Sequence, residues 1–121
     1  MTLRSGVDIV EIQRFEDLTP AIFMRFVERV FTPQELNEAG NSMQYLAGRF
    51  AAKEAVAKAL GCGIGLIGWK DVEILTGEKG EPKLSLRGRA LEESANLGVR
   101  EWSLSISHSH QYAVAMVIGM G

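Results

Sequence analysis

The stretch Ser103-Leu104-Ser105-Ile106-Ser107-His108-Ser109-His110-Gln111-Tyr112-Ala113-Val114-Ala115-Met116-Val117-Ile118 lies within the longest uncharged run of the chain, Trp102 to Gly121. By length alone that run resembles a membrane span. Its middle, Ser107 to Gln111, is polar, and a spanning helix tolerates such an interruption only at a high cost. On its N-terminal side apolar Leu104 and Ile106 alternate with serines, the period of a half-buried strand. On its C-terminal side Tyr112 to Ile118 is a short apolar run of strand length. The stretch therefore reads as two strands turning at Ser109-His110.

Working outward, the other segments supply partners for this hairpin. Val72–Leu75 and Lys83–Leu86 flank Thr76 to Pro82, which contains two glycines and a proline, so they form a second hairpin. Gly6 to Ile12 has apolar residues at 7, 9, 10 and 12 and β-branched content, which predicts a strand from which Asp8 projects. Thr19-Pro20 starts a helix with Ile22, Phe23, Phe26, Val27 and Val30 at helical spacing and Arg25 and Arg29 on the other side. Thr32-Pro33-Gln34-Glu35 combines a capping box with proline at the first helical position, and Gly40 ends that helix. Leu46 to Leu60 is an alanine-rich helix stopped by Gly61, and Gly88 to Leu97 is a modest helix closed by Gly98. The order strand, helices, hairpin, helix, hairpin predicts an α+β fold, an antiparallel sheet packed with helices.

The chain has 121 residues and a mass of 13.3 kDa, which suits one domain spanning 1–121. A net charge of -2 and a pI near 5.7 give no basic footprint for nucleic acid. Cys62 is the sole cysteine, which excludes an internal disulfide and a cysteine-based zinc site and points to a reducing compartment. The N-terminus reaches Asp8 too soon for a signal h-region. A soluble, cytoplasmic protein without a membrane segment is expected.

Four groups of residues invite a chemical reading. Gly63-Ile64-Gly65-Leu66-Ile67-Gly68 matches G-x-G-x-x-G literally, but a dinucleotide cradle needs a strand before it and a helix after it. Here the glycines follow a helix, so they read as a helix stop and a turn, with backbone contact to a ligand as the alternative. Glu54 and Lys58 lie four apart on one helix face, either as an ordinary exposed pair or as part of a site that the surrounding alanines let a ligand approach. Asp8, in an apolar strand, must be solvated, paired or metal-bound. A second carboxylate beside it would make a hard-cation site suited to Mg²⁺ and a phosphate, and Glu54 is a candidate whose proximity the spacing leaves open. His108 continues the Leu104/Ile106 parity, either as a structural hydrogen-bonding residue or as a ligand. His110 two residues on gives a metal-pair spacing with no third ligand.

Together these pieces resemble a known family. Gly6-Val7-Asp8-Ile9-Val10-Glu11-Ile12-x-Arg14-Phe15 is similar to the N-terminal signature of the holo-acyl-carrier-protein synthases. Arg49-Phe50-Ala51-Ala52-Lys53-Glu54-Ala55-x-x-Lys58-Ala59-x-Gly61 is similar to that family's most specific motif. Phe31-Thr32-x-x-Glu35, Gly80-x-Pro82 and Ser105-Ile106-Ser107-His108 follow in the family's order, so the resemblance runs from Gly6 to about Val117.

The resemblance implies a 4′-phosphopantetheinyl transferase-like fold. It also implies transfer of 4′-phosphopantetheine from coenzyme A to a serine of an apo-acyl carrier protein, in the service of fatty acid biosynthesis. Carried over, Asp8 and Glu54 would hold Mg²⁺ against the coenzyme A pyrophosphate. Glu54, directly or through a bound water, would take the serine proton, and Lys58 would neutralise or protonate the departing phosphate oxygen. Arg49 and His108 would help hold the 3′-phosphate and adenylate portion, and Pro82 would flank the nucleotide. The turn at Gly63 and Gly65 would let backbone approach the ligand. Arg14, Arg25 and Arg29 would receive the acidic helix of the carrier protein, although Glu16 and Asp17 sit close to Arg14. The resemblance further implies a homotrimer with sites between subunits. One departure is that Glu38 to Gly48 contains no Lys or Arg, where relatives often place basic residues near the nucleotide phosphate.

Overall fold

Alternating side chains on the first strand and the last hairpin build a sheet with one face on a helix and one face bare. In the computed structural model, which describes residues 1–63 and 65–121, β1 spans Leu3–Glu11, β4 Glu101–His108 and β5 Tyr112–Met120. They pair antiparallel in the order β1-β5-β4. Gly6 and Val10 on β1, and Ala113, Ala115 and Val117 on β5, turn inward and are buried. Leu3, Val7, Ile9, Met116 and Met120 point the other way and are exposed.

The inward face packs on α4, Met43–Ala59. This helix begins three residues before the expected Leu46, at an N-cap where Ser42 accepts from the Tyr45 amide at 3.1 Å. Ala47, Ala51, Ala52, Ala55, Val56, Ala57 and Ala59 are all buried, as are the charged Arg49 and Lys53, so the helix is enclosed nearly all round by other elements. Its small side chains let neighbouring backbones come close.

On the far side of α4 lie α2 (Pro20–Val30), α3 (Pro33–Ala39) and a separate two-stranded sheet of β2 (Val72–Thr76) and β3 (Pro82–Leu86). A short helix α1, Gln13–Glu16, which no sequence signal marked, follows β1, and α5 spans Gly88–Asn96. The α+β class with antiparallel pairing is borne out, and the strands divide between two sheets. Of the glycine-rich connection after α4, Ile64 lies outside the described residues. In α2, Val27 and Val30 are buried as the spacing predicts, whereas Ile22 stays exposed.

The expected capping box at α3 is present: Glu35 N donates to Thr32 Oγ1 at 3.2 Å and Thr32 N to Glu35 Oε1 at 3.0 Å. Glu35 does more than cap. Its Oε2 accepts from Ile74 N at 2.8 Å, and its Oε1 lies 2.8 Å from the Lys53 ammonium, with both side chains wholly buried. Removing one partner of such a buried pair costs about 3–5 kcal/mol.

Candidate active site

Asp8 lies on the inward face of β1, half-buried against the later turns of α4. Lys58 reaches across to it, with its Nζ 2.9 Å from Asp8 Oδ1 and 3.1 Å from the Val7 carbonyl oxygen. The helix-face pair read from the Glu54–Lys58 spacing is therefore replaced by a pair between helix and strand. Glu54, one turn before Lys58, is left without an ion-pair partner within 4.0 Å among the described residues. Burial raises its carboxyl above the usual range, the Asp8 charge raises it further, and Lys58 opposes both. Two carboxylates that repel each other beside one lysine are a donor set that a hard divalent cation would relieve.

Glu54 opens onto a cleft of about 800 Å³ lined by Phe26, Arg29, Val30, Phe50, Gly65, Ile67, Gly68 and Trp69. Its floor is aromatic: Phe50 and Trp69 stack at 5.0 Å and Phe26 lies 5.6 Å from Phe50. Gly65 has φ of 136° with open space where a Cβ would stand, a backbone conformation that favours glycine. On the other side of Lys58, Ser5, Gly6, Val7 and Met116 form a shallower concavity of about 410 Å³ at the bare sheet face.

The remaining expected site residues fall elsewhere. The Arg49 guanidinium donates to the Ile74 carbonyl at 3.1 Å and to Thr76 Oγ1 at 2.9 Å, and lies 4.2 Å over the Tyr45 ring. Pro82 is the β3 partner of Thr76, so Arg49 and Pro82 meet at one residue. Arg49 also lies 3.9 Å from Glu38, within the segment that lacks basic residues. Burial works against the Glu38 charge, but hydrogen bonds from Tyr45 and Thr76, with Arg49 nearby, outweigh it and hold the carboxyl below its usual value.

His108 ends β4 opposite Ala113 and is exposed, as are His110 and Gly63. Arg14 and Arg25 are exposed on α1 and α2, and Arg29, also exposed, stands at the Glu54 cleft. The structure thus joins Asp8, Glu54 and Lys58, places Gly65 and Arg29 on the same cleft, and brings Arg49 and Pro82 together at Thr76. Among the described residues no group of three or more His, Cys, Asp or Glu is placed to hold a metal, so a cation here would rely on the two carboxylates plus ligands from outside the chain. Sequence reasoning missed Phe26, Phe50 and Trp69 as cleft walls and Lys53 as a tertiary partner. The one signal for Lys53 was a charged residue inside an alanine run.

This fold and carboxylate pair define a class. The model of the 4′-phosphopantetheinyl transferase superfamily matches residues 4–117, and the chain belongs to that family. It is 47% identical to the holo-[acyl-carrier-protein] synthase of Natranaerobius thermophilus, across 98% of this chain and 97% of that protein. The crystal structure of the Helicobacter pylori holo-[acyl-carrier-protein] synthase in complex with coenzyme A matches with a TM-score of 0.86. It is 33% identical and covers 96% of this chain and 99% of that one. The Neisseria meningitidis holo-[acyl-carrier-protein] synthase matches with a TM-score of 0.85 at 36% identity, covering 98% of each chain. The resemblance read from five motifs is borne out.

Proposed function

We propose that this chain transfers 4′-phosphopantetheine from coenzyme A to the acceptor serine of an apo-acyl carrier protein, releasing adenosine 3′,5′-bisphosphate. The observation that carries the reading is the meeting of Asp8, Glu54 and Lys58 where β1 crosses α4. Asp8 lies 46 residues before Glu54 and 50 before Lys58, so the site joins two motifs far apart in the chain.

The site's residues suit the steps of that reaction. The serine oxygen attacks the phosphorus that carries pantetheine, a phosphorus–oxygen bond to the nucleotide side breaks, and the serine proton must leave. Glu54 stands at the cleft, where it takes that proton directly or through a bound water. Lys58 is half-exposed, so its ammonium is free to turn from Asp8 to the departing phosphate oxygen and offset its charge. Asp8 and Glu54 would hold Mg²⁺ between them. When bound, the ion supplies charge screening for the diphosphate. Arg49, Pro82 and His108 serve the nucleotide portion, and the turn at Gly63 and Gly65 lets backbone approach the ligand. Arg14, Arg25 and Arg29 receive the acidic carrier helix.

The same reading makes the protein a homotrimer with sites between subunits. Its support is the bare sheet face, where Leu3, Val7, Ile9, Met116 and Met120 form an apolar surface beside the Lys58 concavity. A neighbouring copy covering that face would wall the concavity and bring its own residues to it. The chain forms a single domain and works in the cytoplasm on carrier proteins of fatty acid biosynthesis. Free Cys62 fits a reducing compartment, and among the described residues no helix is long and apolar enough to cross a membrane.

Intact-mass analysis of an apo-acyl carrier protein incubated with this protein, coenzyme A and Mg²⁺ tests the reading. One added phosphopantetheine, absent with chelator or with Glu54→Gln, supports it. Hydrolysis of coenzyme A with an unchanged carrier would replace it with pyrophosphohydrolase activity. No change in either, across several carriers, would leave a binding module.

A further inference from the structure

We propose that the buried Glu35–Lys53 pair is a positioning device that pins the Trp69 wall opposite Glu54. This inference rests on the transferase reading above. Lys53 immediately precedes Glu54 on α4, and its side chain runs into the interior while Glu54 opens onto the cleft. An ammonium has three hydrogens to donate, and here all three are used. One goes to Glu35 Oε1 at 2.8 Å, one to the Trp69 carbonyl at 3.1 Å, and one to the Val72 carbonyl. Those carbonyls bracket the single 3-10 turn Trp69–Asp71, so one side chain clamps the turn's entry and its exit into β2.

The clamped turn is functional surface. Trp69 stacks on Phe50, and both line the cleft with Glu54. Glu35, in turn, is tied to the start of α3 through Thr32 N and to β2 through Ile74 N. The pair thus fixes the cleft wall with respect to the helix that carries Glu54.

Stability alone does not call for this arrangement. A glutamine at position 35 would complete the capping box, and buried ion pairs are often replaceable by apolar residues of equal volume without loss of stability. What an apolar pair cannot do is hold two carbonyls in fixed directions. The directional bonds are the feature that a positioning role requires and a packing role does not.

The test is the double variant Glu35→Gln/Lys53→Met, which keeps the volume and the cap at Thr32 while removing the ammonium and the carboxylate oxygen that accepts from Ile74 N. Val99→Ala, in the core away from the cleft, is the destabilised control. Positioning predicts faster amide exchange at residues 66–71 in the double variant than in the control at equal loss of thermal stability. It also predicts kcat for carrier modification lower by about tenfold or more with KM for coenzyme A nearly unchanged, as misplacement near a reacting centre produces. Exchange at 66–71 matching the control, or wild-type kcat in the double variant, overturns the proposal. If the unmodified protein transfers nothing, the transferase reading fails instead, and the exchange contrast alone decides whether the pair holds the wall.

Discussion

Gly6 on β1 and Ala55 on α4 meet backbone to backbone. A Cβ at Gly6 would overlap the Ala55 carbonyl oxygen and come within 3.0 Å of the Ala59 nitrogen. Asp8, two residues further along the same face of β1, is thereby brought to the turn of α4 where Lys58 bonds it at 2.9 Å. The spacing between the two carboxylates of the site depends on the absence of one side chain.

Gly6→Ala should therefore damage both the fold and the site. The atoms in the way belong to backbone, so no rotamer change relieves the clash, and β1 must move off α4. Overpacking of this kind costs about 1–3 kcal/mol, a fall of several degrees in Tm for a domain of this size. Carrier modification should fall more than the folded fraction does, because Asp8 withdraws from Glu54 and Lys58. Thermal melts beside the intact-mass assay check this, and a variant matching wild type in both would show that strand and helix have room.

Glu54→Gln should abolish transfer while making the metal-free protein more stable at neutral pH. The Glu54 carboxyl is raised by burial first and by Asp8 second, with Lys58 opposing. A carboxyl raised in the folded state binds its proton more tightly folded than unfolded. Its stabilising contribution is present below the unfolded value and is lost as pH rises through the folded one. At pH 7 the ionised Glu54 is thus a net cost to the metal-free fold, and glutamine removes it. Melts in chelator should show the variant ahead at pH 7 and level with wild type near pH 4. A lower Tm for the variant at pH 7 would contradict the assigned environment.

Much of this site follows from local sequence, and the rest is missing for a physical reason. The capping box at Thr32 and Glu35, the glycine stop after α4 and the strand periodicity of Leu104 and Ile106 are all contacts within a few residues. Pairing is not. That β1 joins β5 across more than a hundred residues, or that β2 and β3 form a sheet of their own, depends on chain topology that no local period encodes. The same holds for side chains. Helical spacing correctly put Glu54 and Lys58 on one face, but a strand lying on that face supplied Lys58 with a closer partner. Glu35 was legible as a cap, while its bond to Lys53, 18 residues on, was not. Family motifs pointed to Asp8 with Glu54 because they carry the result of folding rather than its local rules.

Lys58→Ala should separate chemistry from stability. Its ion pair with Asp8 has a side chain 55% exposed on the lysine side, so solvent screening leaves it worth about 0–1 kcal/mol. Tm should move by no more than a few degrees. Transfer should drop about a hundredfold or more, because the departing phosphate oxygen loses the cation placed to offset its charge. Lys58→Arg keeps the charge and should recover part of the rate. Steady-state kinetics with coenzyme A and apo-carrier protein distinguish these outcomes, and an alanine variant at wild-type rate would remove Lys58 from the mechanism.

Ile9→Lys should dissociate the proposed trimer. Ile9 stands opposite Val114, Val7 opposite Met116 and Leu3 opposite Met120, so the outer face of β1 and β5 is an apolar strip interrupted on β1 only by Ser5, opposite Ile118. Ile9 is 63% exposed in the single chain, and a lysine there meets only water, leaving monomer stability within about 0.5 kcal/mol. Buried between copies, the same lysine would be an unpaired charge in an apolar contact, which the interface cannot accommodate. Sedimentation should show wild type at three times 13.3 kDa and the variant at the single-chain mass. Because the Lys58 concavity opens on this face, the variant should lose transfer activity along with its partners, although every residue of Asp8, Glu54 and Lys58 is intact. A wild-type chain that modifies its carrier while sedimenting as a single copy would refute the self-association and, with it, the placement of sites between subunits.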